Sequence, residues 1–208
     1  MPFKAVIFDL DGTLVTDKSS WWKLHKYFGT YVPSLKNMKD YEQGNIAYDE
    51  FMRRDIALWN PKPHIGTIEK ILLDYKLTPN AKFVTETLGI KGYNMAIITT
   101  GIDITAKAVA SELHIPYVVA NGVILDKNGY LTGSVIFNVD LLRKEQAFND
   151  LIPKIGVKKE ECIAVGDSKY DMSFLKNAGL GLAFNPDDDL KQSSLFAMKD
   201  LKELLDFI

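Results

Sequence analysis

The sequence predicts an α/β fold: a mainly parallel sheet flanked by helices, with a helical insertion directly after the first strand. Three features carry that expectation. Val6-Ile7-Phe8 is a continuous apolar run, the pattern of a strand buried on both faces, and it stops at two carboxylates, Asp9 and Asp11, before Gly12 turns the chain. Residues 17–62 space their apolar side chains helically, with no strand-like alternation. From residue 63 onward, short apolar runs alternate with helical stretches, which implies strands joined by crossover helices.

Taken in order, Ser19 and Ser20 are N-cap residues for a helix that Gly29 ends, with Trp21, Leu24 and Phe28 on one face and Trp22 about 100° round from Trp21. A second helix is predicted over 34–43, with Leu35, Met38 and Tyr41 inward. A third covers 48–59, with Phe51, Met52, Ile56 and Trp59 as its apolar stripe. Asp55 interrupts that stripe, an unusual place for a charge. Asn60-Pro61-Lys62-Pro63 reads as a hinge. Helices follow at 65–75 and from Thr78-Pro79 to Gly89, then a strand at 94–99, a helix at 104–113 and a strand at 117–119. Asn128-Gly129, between the runs 123–125 and 135–137, is a hairpin signal. A helix over 141–152, a strand at 163–165, a helix at 171–177, a strand at 180–184 and a last helix at 200–207 complete the chain. Asp187-Asp188-Asp189 fits the acidic first turn of a helix better than a metal site.

The chain has 208 residues, 47% of them hydrophobic and 25% charged, which fits one domain with a sizeable insertion or two small domains. A net charge of -2 and the lack of a basic block argue against nucleic acid as the main partner. No apolar stretch approaches the ~18 residues that span a bilayer, and the first strand begins too early to leave room for a signal peptide. The single cysteine, Cys162, lies in an apolar run and reads as a buried structural thiol. A cytoplasmic protein is expected, with oligomeric state left open.

Four polar clusters fall at strand ends or helix starts: Asp9/Asp11, Thr99/Thr100/Gly101, Lys144, and Asp167 with Asp171. In an open α/β sheet ligands bind outside the carboxyl ends of the strands, so these clusters are expected to share one crevice. Each alone has an ordinary structural explanation: an aspartate cap, a strand-end hydroxyl, a solvated helix lysine. Together, Asp-Leu-Asp-Gly-Thr, Ile-Ile-Thr-Thr-Gly, the lone lysine and Gly-Asp-Ser-Lys-Tyr-Asp, in this order and spacing, resemble the haloacid dehalogenase (HAD) superfamily and its phosphoserine phosphatase-like branch.

The resemblance implies a Rossmann-like HAD core over residues 1–16 and 63–208, with a small hairpin, and a helical cap over 17–62 that could extend to about 78. It implies an Mg²⁺-dependent phosphatase acting on a small phosphorylated metabolite. Asp9 would be the nucleophile, forming an aspartyl-phosphate, and Asp11 the general acid and then base. Thr99, Thr100, Gly101 and Lys144 would hold the phosphoryl oxygens. Asp167 would bind Mg²⁺ with Asp9 and the Asp11 carbonyl, and Asp171 would support that set. The chemistry is consistent: a phosphate dianion repels a carboxylate nucleophile, and Mg²⁺ with a lysine supplies the offsetting charge. Thr100 and Gly101 could add a backbone N–H nest.

The cap departs from the branch. Where a Glu and an Arg of the family meet the substrate ammonium and carboxylate, this chain aligns Lys18 and Asp55, each reversed in sign. Either these two bind substrate, or they pair with each other, or Arg54 is the true counterpart of the Arg. Trp22 is a further cap residue that could face the substrate, and Tyr170 stands where the family usually has Asn. His25, His64 and His114 read as structural or solvated. A phosphotransferase using the same intermediate, and a non-catalytic phosphate-binding module, are the alternatives.

Overall fold

The computed structural model describes residues 3–192 and 196–208; residues 1–2 and 193–195, which the predicted core spans include, lie outside the described residues. Seven strands form one sheet in the order β4-β3-β2-β1-β5-β6-β7: β1 Ala5–Phe8, β2 Asn94–Ile102, β3 Tyr117–Leu125, β4 Leu131–Ile136, β5 Cys162–Gly166, β6 Leu180–Phe184 and β7 Phe196–Met198. Each pairing is parallel except the β3–β4 hairpin. The opening strand is central and wholly buried. Its side chains alternate between two cores, Val6 and Phe8 on one face and Ala5 and Ile7 on the other, which is why the run is apolar without a break.

Register places the chemistry. Phe8 lies opposite Ile97 of β2 and Val165 of β5, so Asp9, Thr99 and Asp167 emerge together at the carboxyl edge. The helices of the insertion are α1 Ser20–Tyr27, α2 Tyr31–Glu42 and α3 Tyr48–Leu58, followed by α4 Ile65–Leu72. They share a third apolar cluster, in which Trp21, Phe51, Met52, Ile56 and Trp59 pack with Ile68, Ile71 and Leu72. The remaining helices are α5 Ala81–Ile90, α6 Asp103–Glu112, α7 Lys144–Ile155, α8 Met172–Asn177 and α9 Asp188–Lys191.

Several expectations change. Runs 117–119 and 123–125 are one strand, because β3 continues from the parallel sheet into the hairpin. The strand predicted at 94–99 runs on to Ile102. Strand β7 has no alternating or long apolar signature, and exists through pairing with β6. Leu35 is exposed, since α2 turns Tyr41 and Met38 inward instead. Helix α5 starts at Ala81, two residues late, because Asn80 takes a left-handed φ of +66° that a right-handed helix cannot include. The last helix is a 3₁₀ stretch, Leu201–Phe207, capped by Asp200. Residues 60–63, read as a hinge, are tied to the hairpin: Leu131 N donates to Pro63 O and Ile65 N to Gly129 O. Cys162 is buried with its thiol against Lys158 O, as a structural thiol should be. Among the described residues no helix is long and apolar enough to cross a membrane.

Candidate active site

Above the carboxyl edge, between the sheet and α1–α3, lies a cavity of about 450 Å³ lined by Asp9, Asp11, Thr99, Lys144, Asp167 and Asp171 from below. Lys144, the first residue of α7, is 2% exposed and bridges two carboxylates, with Nζ 2.6 Å from Asp9 Oδ1 and 2.5 Å from Asp171 Oδ1. Burial alone would lower the ammonium, but Asp171 and Asp9 reverse this and hold it above its ordinary value. Asp171 turns its other oxygen back on the loop, where Oδ2 accepts the N–H groups of Asp167 and Ser168 and the Ser168 hydroxyl. Its placement orients Asp167 rather than reaching far into the cavity.

Burial pushes the Asp9 carboxyl well up, and the nearby Asp171 adds to that against Lys144. Asp167 is pushed up to about 6, by burial first and then by Asp171. Carboxylate oxygens of Asp9, Asp167 and Asp171 lie within 4.8 Å of one another, and all three residues are buried. This crowding of negative charge with hard oxygen donors fits a divalent cation of the Mg²⁺ type. Gly12 belongs to the same cradle: a Cβ there would fall 2.2 Å from Asp167 Oδ2, and its φ of +85° favours glycine in any case.

Asp11 sits differently. Its Oδ2 accepts the backbone N–H of Ser20 at 2.8 Å and the Ser20 hydroxyl at 2.9 Å, while Oδ1 is buried without a partner. Burial raises its carboxyl, and the two Ser20 bonds oppose the rise. A carboxyl fixed on one oxygen, bare on the other and raised toward protonation suits a proton carrier. Sequence alone marks Ser20 only as an N-cap; the cap is Ser19, whose Oγ accepts the Trp22 N–H, and Ser20 is the residue that aims Asp11. Its signal is position alone, nine residues past Asp11. Gly101 packs against both: a Cβ at that position would lie only 2.6 Å from Ser20 Oγ, so any side chain there would push Ser20 off Asp11.

Thr99 is buried, and its Oγ1 accepts the Gly101 N–H at 3.0 Å. The Gly101 N–H, expected to form a nest with that of Thr100, is here taken by Thr99 near the end of β2. Thr100 lines the cavity, and its carbonyl accepts the Trp21 indole N–H.

The cap residues separate. Lys18 and Asp55 both line the cavity but do not pair with each other: Lys18 Nζ is 2.5 Å from Asp167 Oδ2, and Asp55 accepts from the Asn37 amide, with His25 Nε2 3.1 Å away. Arg54 does not line the cavity here; it turns to the helix surface and pairs with Glu50 and Asp40. The helical rotation of about 100° per residue puts Asp55 inward where its neighbour Arg54 points outward. Trp22 lines the cavity half-buried, edge-on to Tyr31. Tyr48 and Phe51, two turns and one turn before Asp55 on α3, line it as well, so Phe51 serves the cavity wall in addition to the apolar stripe expected of it.

A contact absent from the expectations lies beside the cavity, at Tyr170. The Tyr170 hydroxyl donates to Glu42 Oε1 at 2.7 Å, and Lys169 Nζ lies 3.2 Å from the same oxygen, joining the loop after β5 to the end of α2. The Tyr170 bond holds the Glu42 carboxyl below its ordinary value of 4.5. Tyr170→Phe is expected to lower the unfolding free energy at pH 7 by about 0.5–1 kcal/mol, toward the low end because Glu42 is partly solvated. A depressed carboxyl stabilises above its unfolded value, so the difference should vanish as pH falls through the folded value. Equal urea midpoints at pH 7 would show that the Tyr170–Glu42 bond does not stabilise the fold.

Residues 3–179 match the family model for haloacid dehalogenase-like hydrolases. The chain belongs to that family. A phosphoserine phosphatase from Methanocaldococcus jannaschii is 30% identical over 99% of this chain and 97% of its own length. The solved phospho-aspartyl intermediate analogue of a phosphoserine phosphatase superposes with a TM-score of 0.81 at 28% identity, covering all of both chains. A substrate-bound phosphoserine phosphatase complex gives the same score and identity over 100% of this chain and 99% of the other. This HAD-type phosphatase therefore sits on the phosphoserine phosphatase-like branch, as the four motifs implied.

Proposed function

We propose that this HAD phosphatase is an Mg²⁺-dependent phosphomonoester hydrolase that works through an aspartyl-phosphate on a small phosphorylated metabolite other than phosphoserine. The juxtaposition of Asp9, Lys144 and a raised Asp11 at one cavity floor is the observation that carries it. Lys144 on Asp9 Oδ1 fixes the carboxylate and leaves its second oxygen to attack phosphorus. The ester P–O bond breaks as the new P–O bond forms, and the leaving oxygen takes the proton of Asp11. Asp11, now a carboxylate, removes a proton from the water that opens the acyl phosphate, and inorganic phosphate leaves with Asp9 restored. A positioned acid and base is typically worth ~10²–10⁴ in rate.

Asp9, Asp167 and the carbonyl of Asp11 are the proposed metal ligands, with Asp171 supporting them through the Asp167 loop. Mg²⁺ bound there supplies the positive charge that a phosphoryl group needs beside carboxylates. Thr99, Thr100 and Lys144, which line the cavity floor, are the proposed holders of the phosphoryl oxygens. The cap is proposed as α1–α4, its end nearer 78 than 62, since α4 shares the cluster of Trp21 and Trp59.

The test is turnover of a set of phosphate monoesters, including p-nitrophenyl phosphate and phosphoserine, in Mg²⁺ and after chelation. Hydrolysis is expected with Mg²⁺ and to fall about 10²-fold or more without it, returning on addition. Full activity of the metal-free protein overturns the metal requirement, and no hydrolysis of any ester overturns the reading. Phosphoserine emerging clearly first would remove only the clause that excludes it.

A further inference from the structure

Five aspartates are buried among the described residues: Asp9, Asp55, Asp140, Asp167 and Asp171. Four touch a lysine or arginine. Lys144 holds Asp9 and Asp171, Lys18 holds Asp167, and Arg143 holds Asp140. A buried carboxylate without a cation is costly by several kcal/mol, to order of magnitude, so this pairing is what physics demands. Asp55, 2% exposed and lining the cavity from the cap, is the exception.

Its neighbours are an amide and an imidazole. The Asn37 amide donates to Oδ1 at 2.8 Å. His25 Nε2 is 3.1 Å from Oδ2 but off the line of its N–H, so no hydrogen bond forms there. The tautomer of His25 is set from its other side: the Trp59 indole N–H points at Nδ1 from 3.2 Å and the Thr30 hydroxyl lies 2.8 Å away. An indole nitrogen can only donate, so Nδ1 accepts and the ring's proton resides on Nε2. Around Asp55 the wall is aromatic, with Phe51 and Tyr48 preceding it on the same face of α3 and Trp22 on α1. A carboxylate with spare acceptor sites among aromatic faces is the chemistry that receives a cation.

We infer that Asp55 binds an ammonium group at the far end of the leaving alcohol, so that the preferred substrates are small amino-alcohol phosphates. The inference rests on the phosphatase reading above and names the substrate class for that site. The phosphate end meets Lys144 and the metal site at the floor, and the cationic end meets Asp55 in the cap. An ester with a carboxylate at that end would face Asp55 charge to charge, and a neutral alcohol would leave the carboxylate uncompensated.

The test compares O-phosphoethanolamine with 2-hydroxyethyl phosphate, nearly the same in size and lacking the charge. With the Mg²⁺-loaded protein, kcat/KM should favour the amine by on the order of 10-fold or more, as a charged hydrogen bond predicts, and Asp55→Asn should bring the ratio close to one. A ratio near one in the native protein, or one that Asp55→Asn leaves unchanged, overturns the inference. Calorimetric binding of 2-aminoethylphosphonate against propylphosphonate reads the same preference in the native protein without turnover or a variant. Equal affinities there also overturn it. Absence of any p-nitrophenyl phosphate hydrolysis would instead strike the phosphatase reading, and the calorimetric comparison would still decide the role of Asp55.

Discussion

Asp9→Asn is expected to lower kcat on every phosphate monoester by roughly 10⁴-fold or more, because the amide oxygen cannot form the acyl phosphate. The fold should survive it. Asp9, Asp167 and Asp171 bring three carboxylates within 4.8 Å, with Lys144 the ammonium bridging two of them, so removing one negative charge relieves the crowding. The urea midpoint of Asp9→Asn should therefore equal or exceed that of the native protein. Loss of activity together with loss of fold would point to a structural part for Asp9, and retained activity would sink the nucleophile assignment. Mass spectrometry after quenching with a monoester offers a direct check: a phosphoryl adduct should appear on the native chain and be missing from Asp9→Asn.

Lys144→Met is expected to do the opposite in stability. Its ammonium is almost without solvent and serves both Asp9 and Asp171, so its removal leaves two buried carboxylates facing each other. Breaking such a pair costs about 3–5 kcal/mol. The same substitution removes the charge that offsets phosphate approaching Asp9, so activity should also fall steeply. Arginine should not restore it, since a planar fork cannot occupy the point between Asp9 Oδ1 and Asp171 Oδ1 that a compact ammonium fills. Denaturation in chelator gives the stability reading without interference from a bound cation. A midpoint shift equivalent to less than about 1 kcal/mol would mean that Lys144 is not the counter-ion described.

Elements with a period of their own were legible from the chain. The stripe Phe51, Met52, Ile56 and Trp59 has the spacing of a helix face, and Val6-Ile7-Phe8, which has no period, was legible as a short unbroken apolar run that stops at two carboxylates. Strand β7 was not legible, because three residues at a sheet edge acquire their conformation from β6 and not from local preference. The start of α5 differs at one residue: Thr78-Pro79 carries a helix-start signal, yet Asn80 takes a left-handed φ of +66°, so the helix opens only at Ala81.

The site divides along the same line. Asp9, Asp11, Thr99, Lys144, Asp167 and Asp171 could be found by order and spacing, since they end strands or begin helices whose positions the sequence already marks. The sequence by itself determined the α/β class, the helical insertion and this set of chemical groups. Only the tertiary structure decided which groups meet: Ser20 on Asp11, Lys18 on Asp167, Tyr170 on Glu42, and Asp55 facing the cavity while Arg54 turns away. Periodicity places a side chain on a face of its own element. Its partner across a cavity is set by how separate elements pack, and that information is not local to any stretch of the chain.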